Sequence, residues 1–199
     1  MTIKYKLVIL GDTSVGKSSI VQRFAHNSFF EFQEPTIGAA FVCKDIEVDN
    51  EKIRVEIWDT AGQERYKSLT PMYFRYANIA IIVFDLTNKD SFEGVKYWMQ
   101  TLEEKGEPDI YKVLVGNKKD IQNKIVVSTS EIKNYTKIHN ILYFETSAKN
   151  GSGIETLFTE IFRQNIPTFS YVDPSIMRLN DMSELTNNEN NNDNKYLCC

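Results

Sequence analysis

The sequence predicts an α/β fold: a six-stranded, mostly parallel sheet with helices on both faces and one antiparallel edge strand. Three observations carry this. Short apolar stretches alternate with stretches of helical spacing as far as about residue 164, the pattern of strand–helix–strand units. Residues 79–84 are apolar without alternation, the mark of a parallel strand covered on both faces. Residues 41–48 and 52–58 flank the turn signal Asp49-Asn50-Glu51, so they form a hairpin and supply the antiparallel pair.

The other elements follow in order. Residues 3–10 are an apolar-rich first strand, and 17–26 a helix with Ile20, Val21 and Phe24 on one face. Residues 26–38 lack hydrophobic periodicity, hold Pro35 and read as a long loop. Residues 61–76 begin as a second loop and become helical, with Pro71 making that helix irregular. Residues 91–105 are a helix with Phe92, Val95, Trp98, Met99 and Leu102 on its inner stripe. A buried strand at 113–115, a helix at 130–139 opened by a capping-box-like stretch, and a strand at 141–144 come next. Residues 153–163 are a last helix with apolar Ile154, Leu157, Phe158, Ile161 and Phe162. From Asn165 the chain turns polar and Asn-rich, with too little apolar surface to offset the entropy of ordering. The expectation is one domain at 1–164 and a flexible tail at 165–199. That tail carries five acidic residues against two basic ones, so it holds −3 of the net charge of −4.

Composition excludes several classes. With 42% hydrophobic and 25% charged residues, the chain is ordinary for a soluble globular protein. Its acidity argues against nucleic-acid binding, which leans on clustered Lys and Arg. No apolar run approaches the roughly 18 residues of a transmembrane helix, and there is no signal-peptide pattern. Thr2 stands where myristoylation requires Gly. The cysteines are Cys43, Cys198 and Cys199, neither a disulfide framework nor a zinc pattern. Cys43 reads as a reduced strand residue.

The stretch Gly11-Asp12-Thr13-Ser14-Val15-Gly16-Lys17-Ser18 has two glycines five positions apart followed by Lys and a hydroxyl residue. This pattern holds a polyphosphate. Backbone N–H groups of a tight loop point at the anionic oxygens, and Gly11 and Gly16 remove Cβ atoms that would obstruct that approach. Lys17 supplies charge for the β- and γ-phosphates, and the Ser18 hydroxyl can ligate Mg²⁺. The flanking strand and helix place the phosphates at a helix N-terminus, which extends the contact to Ser19.

Four further stretches fall at strand ends, where ligands of such sheets sit. Asp59, after the strand at 52–58, suits an outer-shell role toward Mg²⁺. Gly62 leaves an N–H able to approach a γ-phosphate, and Gln63 can orient an attacking water without a shifted pKa. Thr36, in Pro35-Thr36-Ile37-Gly38, can offer its hydroxyl to Mg²⁺ and its N–H to the γ-phosphate. Asn117-Lys118-Lys119-Asp120 is a base reader. Asp120 accepts from guanine N1–H and its exocyclic amino group, which adenine cannot satisfy; Asn117 ties loops together and the Lys118 stem covers the base. Thr146-Ser147-Ala148-Lys149 can present the Ala148 N–H to guanine O6. Leaving such buried polar groups unpaired rejects the wrong base by roughly 10⁴-fold or more.

Together these stretches, in this order and spacing, resemble the small GTPases over about residues 1–164. Within that family the chain is similar to the Rab branch, through Trp58-Asp59-Thr60-Ala61-Gly62-Gln63-Glu64-Arg65-Tyr66 and the Cys198-Cys199 ending. Phe32-Gln33-Glu34-Pro35-Thr36-Ile37-Gly38-Ala39-Ala40-Phe41 and Ser68-Leu69-Thr70-Pro71-Met72-Tyr73 resemble its early-endosomal members.

The resemblance implies a P-loop GTPase domain acting as a GTP/GDP switch, hydrolysing GTP slowly unless an activating protein supplies charge in trans. Its moving parts would be residues 29–40 and 61–76. Catalytic roles would fall to Gln63, Lys17 and Thr36, with Mg²⁺ on Ser18, Thr36 and, through water, Asp59. Nucleotide contacts would come from residues 12–19, Phe29 stacking on the base, Thr36, Gly62, Asn117, Lys118, Asp120, Ser147, Ala148 and Lys149. Ile37, Gly38, Phe41, Trp58 and Tyr73 fall where Rabs meet effectors; the alternative for these aromatics, Trp58 above all, is plain core packing. Cys198 and Cys199 invite double geranylgeranylation, and two lipid chains anchor where one does not. The acidic tail adds no attraction to anionic lipid. Implied partners are an exchange factor, an activating protein, a GDP-dissociation inhibitor, an escort protein with geranylgeranyl transferase, and effectors, on a monomer. It would cycle between cytosol and the cytoplasmic face of endosomal or other endomembranes. Two positions depart from the early-endosomal pattern: Thr13, usually small, and Tyr76, usually Gly. The alternatives are a Rab of another trafficking step, a P-loop kinase or ATPase, and a GTP-binding adaptor with negligible hydrolysis.

Overall fold

A computed structural model describes residues 2–167. The tail from residue 168, with Cys198 and Cys199, lies outside the described residues. One sheet of six strands runs through the domain: β1 (Ile3–Leu10), β2 (Ala39–Val48), β3 (Glu51–Thr60), β4 (Ile79–Asp85), β5 (Tyr111–Asn117) and β6 (Leu142–Glu145). Their spatial order is β2-β3-β1-β4-β5-β6. Every pairing is parallel except β2 with β3. The hairpin turns at Asp49 and Asn50, both with positive φ (51° and 68°), the pairing that primed hairpin turns require.

Burial on both faces explains why β4 shows no alternation in sequence yet obeys the strand period in space. Ile79, Ile81 and Val83 enter one core while Ala80, Ile82 and Phe84 enter the other. The first core is completed by α1 (Lys17–His26) and α5 (Ile154–Phe162), where Phe24 and Phe158 stack face to face. The second is completed by α3 (Lys89–Lys105) and α4 (Thr129–His139), with Trp98 its largest fully buried side chain.

Observed boundaries differ from the expected ones where capping decides them. Asn88 accepts from the Asp90 and Ser91 N–H groups, so α3 starts two residues before the sequence spacing indicates. Ser128 and Glu131 close a full capping box that starts α4 at Thr129. The stretch 61–76 runs from loop into helix as expected, its irregularity resolved into two short pieces. It is a 3₁₀ turn at Glu64–Tyr66 followed by the five-residue α2 (Thr70–Phe74), in which Pro71 opens the helix, where a missing N–H costs nothing. A 3₁₀ turn at Gln122–Lys124 had no sequence signal.

Candidate functional site

The C-terminal ends of the parallel strands carry a cavity of about 670 Å³, within the usual size of a small-molecule site. It is lined by Thr13, Ser14, Gly16, Lys17, Ser18 and Ser19 from the loop after β1 and the start of α1. Phe29 and Thr36 come from the loop after α1, Gly62 and Gln63 from the loop after β3, and Asn117, Lys118, Asp120, Ala148 and Lys149 from the end of β5 and the loops after β5 and β6. Lining residues that the sequence reading did not single out are Phe30, Glu31, Gln33, Glu34, Pro35, Thr60 and Ile121.

Asp12, Val15, Ser147 and Asp59 stand behind this lining. The Asp12 carboxylate turns away from the cavity and accepts from Trp98 Nε1–H at 3.0 Å. Val15 is buried in the first core, and its carbonyl accepts from Asn117 Nδ2 at 2.9 Å. The Ser147 hydroxyl donates to Asp120 Oδ1 at 2.5 Å.

The glycines of the phosphate loop have a steric reason within the protein itself, beside the one expected from the sequence. Gly11 (φ +140°) has no room for a Cβ because it would lie 2.2 Å from the Val83 carbonyl of β4, and one on Gly16 (φ +96°) would lie 2.3 Å from Asn117 Nδ2. The loop is therefore pressed against a strand and the base loop, and these contacts by themselves already exclude side chains at both glycines.

Lys17 is buried at the loop's centre and donates to the Gly11 and Asp12 carbonyls at 2.9 and 2.8 Å. Burial lowers its pKa to about 8, against the pull of Asp59 and Asp12. Burial likewise raises the Asp59 carboxyl, against hydroxyl donors and the Lys17 charge. The donor set here fits Mg²⁺. Ser18 Oγ and Thr36 Oγ1 are 2.8 Å apart, Thr36 Oγ1 donates toward Asp59 Oδ2 at 3.4 Å, and Asp59 Oδ1 is buried with no hydrogen-bond partner among the described residues. An orphaned buried carboxylate oxygen is costly, and two hydroxyls beside a carboxylate are the hard oxygen ligands this ion takes.

Asn117 is the hub of the base side. Its Nδ2 reaches the phosphate loop at Val15, and its Oδ1 accepts from Thr146 Oγ1 and from the Ala148 N–H, both at 3.2 Å. The Ala148 N–H expected to face guanine O6 is thus engaged by Asn117. Lys118 (φ +65°) is held by an ion pair of 2.7 Å to the buried Asp85 at the end of β4. Arg23 of α1 donates to the carbonyls of Ala148 and Lys149. Asp85 and Arg23 were missed by sequence reasoning. The one available signal was a carboxylate ending an otherwise apolar strand.

On the outer surface, Trp58 lies between Phe41 (5.2 Å between ring centroids) and Tyr73 (5.9 Å). Phe41 is exposed, whereas Trp58 and Tyr73 are half-buried against the second core. Trp58 therefore does both things, packing against the second core while remaining partly exposed, with Lys6 Nζ 5.2 Å from its ring centroid. Ile37 is exposed, and Gly38 accepts from the Ala61 N–H at 2.8 Å, tying the two loops together.

A strand-end cavity with a lysine- and serine-bearing glycine loop, a carboxylate-terminated β3 and an Asn-x-x-Asp base loop defines a nucleoside-triphosphate hydrolase site. The Ras family profile matches residues 6–166, and the chain belongs to the Ras family. As a member it is a small GTPase, hydrolysing GTP to GDP and phosphate. The chain is 48% identical over 162 residues to the Ras-related protein RABF2a of Arabidopsis thaliana, 81% of each chain. It is 46% identical over 159 residues to the Ras-related protein Rab5 of Nicotiana tabacum, 80% of each. To the Ras-related protein RHN1 of Nicotiana plumbaginifolia it is 47% identical over 159 residues, again 80% of each.

Proposed function

We propose that this cavity holds GTP or GDP with Mg²⁺, and that hydrolysis of the γ-phosphate resets residues 29–40 and 61–76. The chain is a Rab-type GTPase of endocytic trafficking, and its output is a surface rather than a product. The observation that carries the reading is the convergence of five separated stretches on one cavity, with Asp59 Oδ1 orphaned beside Ser18 and Thr36. Purified protein loaded in Mg²⁺ should retain guanine nucleotide near one per chain and prefer GTP over ATP in competition. Protein that retains neither GDP nor GTP sinks the proposal.

Ser18, Thr36 and Asp59 would hold the Mg²⁺, which when bound neutralises phosphate charge. Lys17, now on two carbonyls of its own loop, would turn its ammonium to the β- and γ-phosphates, while backbone N–H groups of residues 13–19 cradle them. Gln63 precedes the 3₁₀ turn in extended backbone and lines the cavity, so its amide would orient the attacking water. None of the described lining residues is an arginine; a partner would supply that charge, giving slow turnover in its absence. Phe29, half-buried against the first core, would stack on the base, the Lys118 stem would cover it, and Asp120 would accept from its N1–H and amino group.

Phe41, Trp58 and Tyr73, with Ile37 and Gly38, form the surface that effectors would read. Such a patch of aromatics beside loops suits a partner. Thr13 lines the cavity and stands where it would crowd the γ-phosphate. We carry residues 1–164 as the switch domain and 165–199 as its tether, with Cys198 and Cys199 geranylgeranylated. No described helix is long and apolar enough to cross a membrane. The lipid groups on those two cysteines would attach the chain at endosomal membranes, with exchange factor, activating protein, escort and GDP-dissociation inhibitor as partners of a monomer. The mass of the protein from its own cell tests this, since two unmodified thiols would overturn it.

A further inference from the structure

On the reading that the cavity holds a guanine nucleotide, we propose that Arg23 is a positioning residue for base recognition, clamping the 148–149 turn to the end of α1. Arg23 does not line the cavity. Its Nε donates to the Ala148 carbonyl at 2.9 Å and its Nη2 to the Lys149 carbonyl at 2.7 Å. Nη1 donates to the carbonyl and side-chain oxygens of Asn27, at 2.9 and 3.3 Å.

An arginine in the last turn of a helix ordinarily neutralises the carbonyls that end it, and Nη1 does so here. Nε and Nη2 instead reach acceptors 125 and 126 residues further along the chain. Two consecutive carbonyls taken by one planar fork is a geometry that a single lysine nitrogen does not reproduce. Ala148 is consequently held at both polar groups, its N–H by Asn117 and its carbonyl by Arg23. The same guanidinium grips Asn27 (φ +51°), two positions before Phe29, where the loop at 29–40 departs from α1. One side chain thus sets the spacing between the guanine-reading turn and the root of the first moving loop. Among the described residues its hydrogen bonds go to the base side, at Asn27, Ala148 and Lys149.

The full-length chain, its Arg23→Lys variant and its Arg23→Gln variant would be loaded with fluorescent GDP in Mg²⁺ and chased with unlabelled GDP. Losing the two long-range hydrogen bonds should speed release roughly 10- to 100-fold in Arg23→Gln, with Arg23→Lys between it and wild type. Hydrolysis of GTP already bound, followed in single turnover, should change by less than about twofold, because the clamp acts on the base and not on the γ-phosphate. Release within about twofold of wild type in Arg23→Gln overturns the proposal. So does a fall in hydrolysis and melting temperature parallel to the faster release, which would mark general destabilisation. Wild-type protein that retains no GDP overturns the nucleotide reading itself and this role with it. Wild type that retains GDP beside an unaltered Arg23→Gln overturns the Arg23 role alone.

Discussion

The two ends of the cavity are built differently. At the base end, Asn117, Thr146 and Ser147 are buried and cross-linked by hydrogen bonds that run from β5 to the phosphate loop and to the loop after β6. At the γ-phosphate end, residues 30–35 and 37 are exposed, with Phe32 94% and Ile37 78% accessible. Hydrogen bonds there join Ser18 to Thr36, Thr36 to Asp59, Ser19 to Gln33, and the Ala61 N–H to the Gly38 carbonyl. The difference teaches how one domain can be both selective and switchable. On the proposed reading, a base end preassembled by buried hydrogen bonds would discriminate, while an end whose loop is largely exposed has little to lose on rearranging when a terminal phosphate arrives or leaves.

The sharpest way to break this contrast is at its hub. Asn117→Ala removes three buried hydrogen bonds, each worth about 1 kcal/mol, and should weaken GDP binding roughly 10²- to 10³-fold by calorimetry. A loss of tenfold or less would mean the base end is not preassembled. At the other end, Gln63→Leu should slow single-turnover phosphate release roughly 10²-fold while leaving GDP affinity within a few-fold; wild-type turnover in that variant removes Gln63 from the mechanism. Metal removal separates the ends a second way. Chelating Mg²⁺ should accelerate nucleotide release from wild type, whereas Ser18→Asn should release fast already and respond little to chelator.

Smaller effects test the borders. Tyr76 closes the stretch at 61–76 with φ +57°, a conformation that costs a non-glycine residue about 1–2 kcal/mol. Its ring lies 4.9 Å from the Arg75 guanidinium, a contact worth about 0.5–1 kcal/mol at an exposed site. The Tyr76 hydroxyl also accepts from Arg75 Nη2 at 2.9 Å, so strain and contacts offset one another, and Tyr76→Gly should shift the melting temperature by no more than about 3 °C; a larger fall would show that this tyrosine's contacts outweigh its strain. The smallest effect lies away from both ends. Hydrogen bonds from Lys89 and Ser128 hold the Glu131 carboxyl down, from 4.5 to about 2. A depressed carboxyl contributes stability above its unfolded value, and that contribution is lost as pH falls from about 4.5 toward 2. Glu131→Gln should flatten that acid limb of the melting curve and leave GDP release unchanged.

Much of this was legible in the chain because it rests on local spacing. The strand–loop–helix around Lys17, the hairpin turn at Asp49-Asn50 and the double burial of residues 79–84 each follow from short-range sterics or periodicity. The residues that escaped sequence reasoning share one property: their partners are distant. Arg23 looks like a helix-ending arginine until Ala148 is folded beside it, and Asp85 looks like a strand end until Lys118 arrives. Asp12 reads as a phosphate-loop residue, yet its carboxylate belongs to Trp98, 86 positions away. Gly11 and Gly16 were found for a correct motif but an incomplete reason, since the backbone and side chain that crowd them come from β4 and β5.

By itself the sequence determined the order of strands and helices, the five stretches proposed to meet the nucleotide, and the membership of the family, because those depend on which residues stand near each other along the chain. Only the tertiary structure decided which of them line the cavity, which stand behind it, and what holds the base-reading turn in place. A hydrogen bond requires about 3 Å between its atoms, and separation along the chain says nothing of that distance until the sheet has brought the loop ends together.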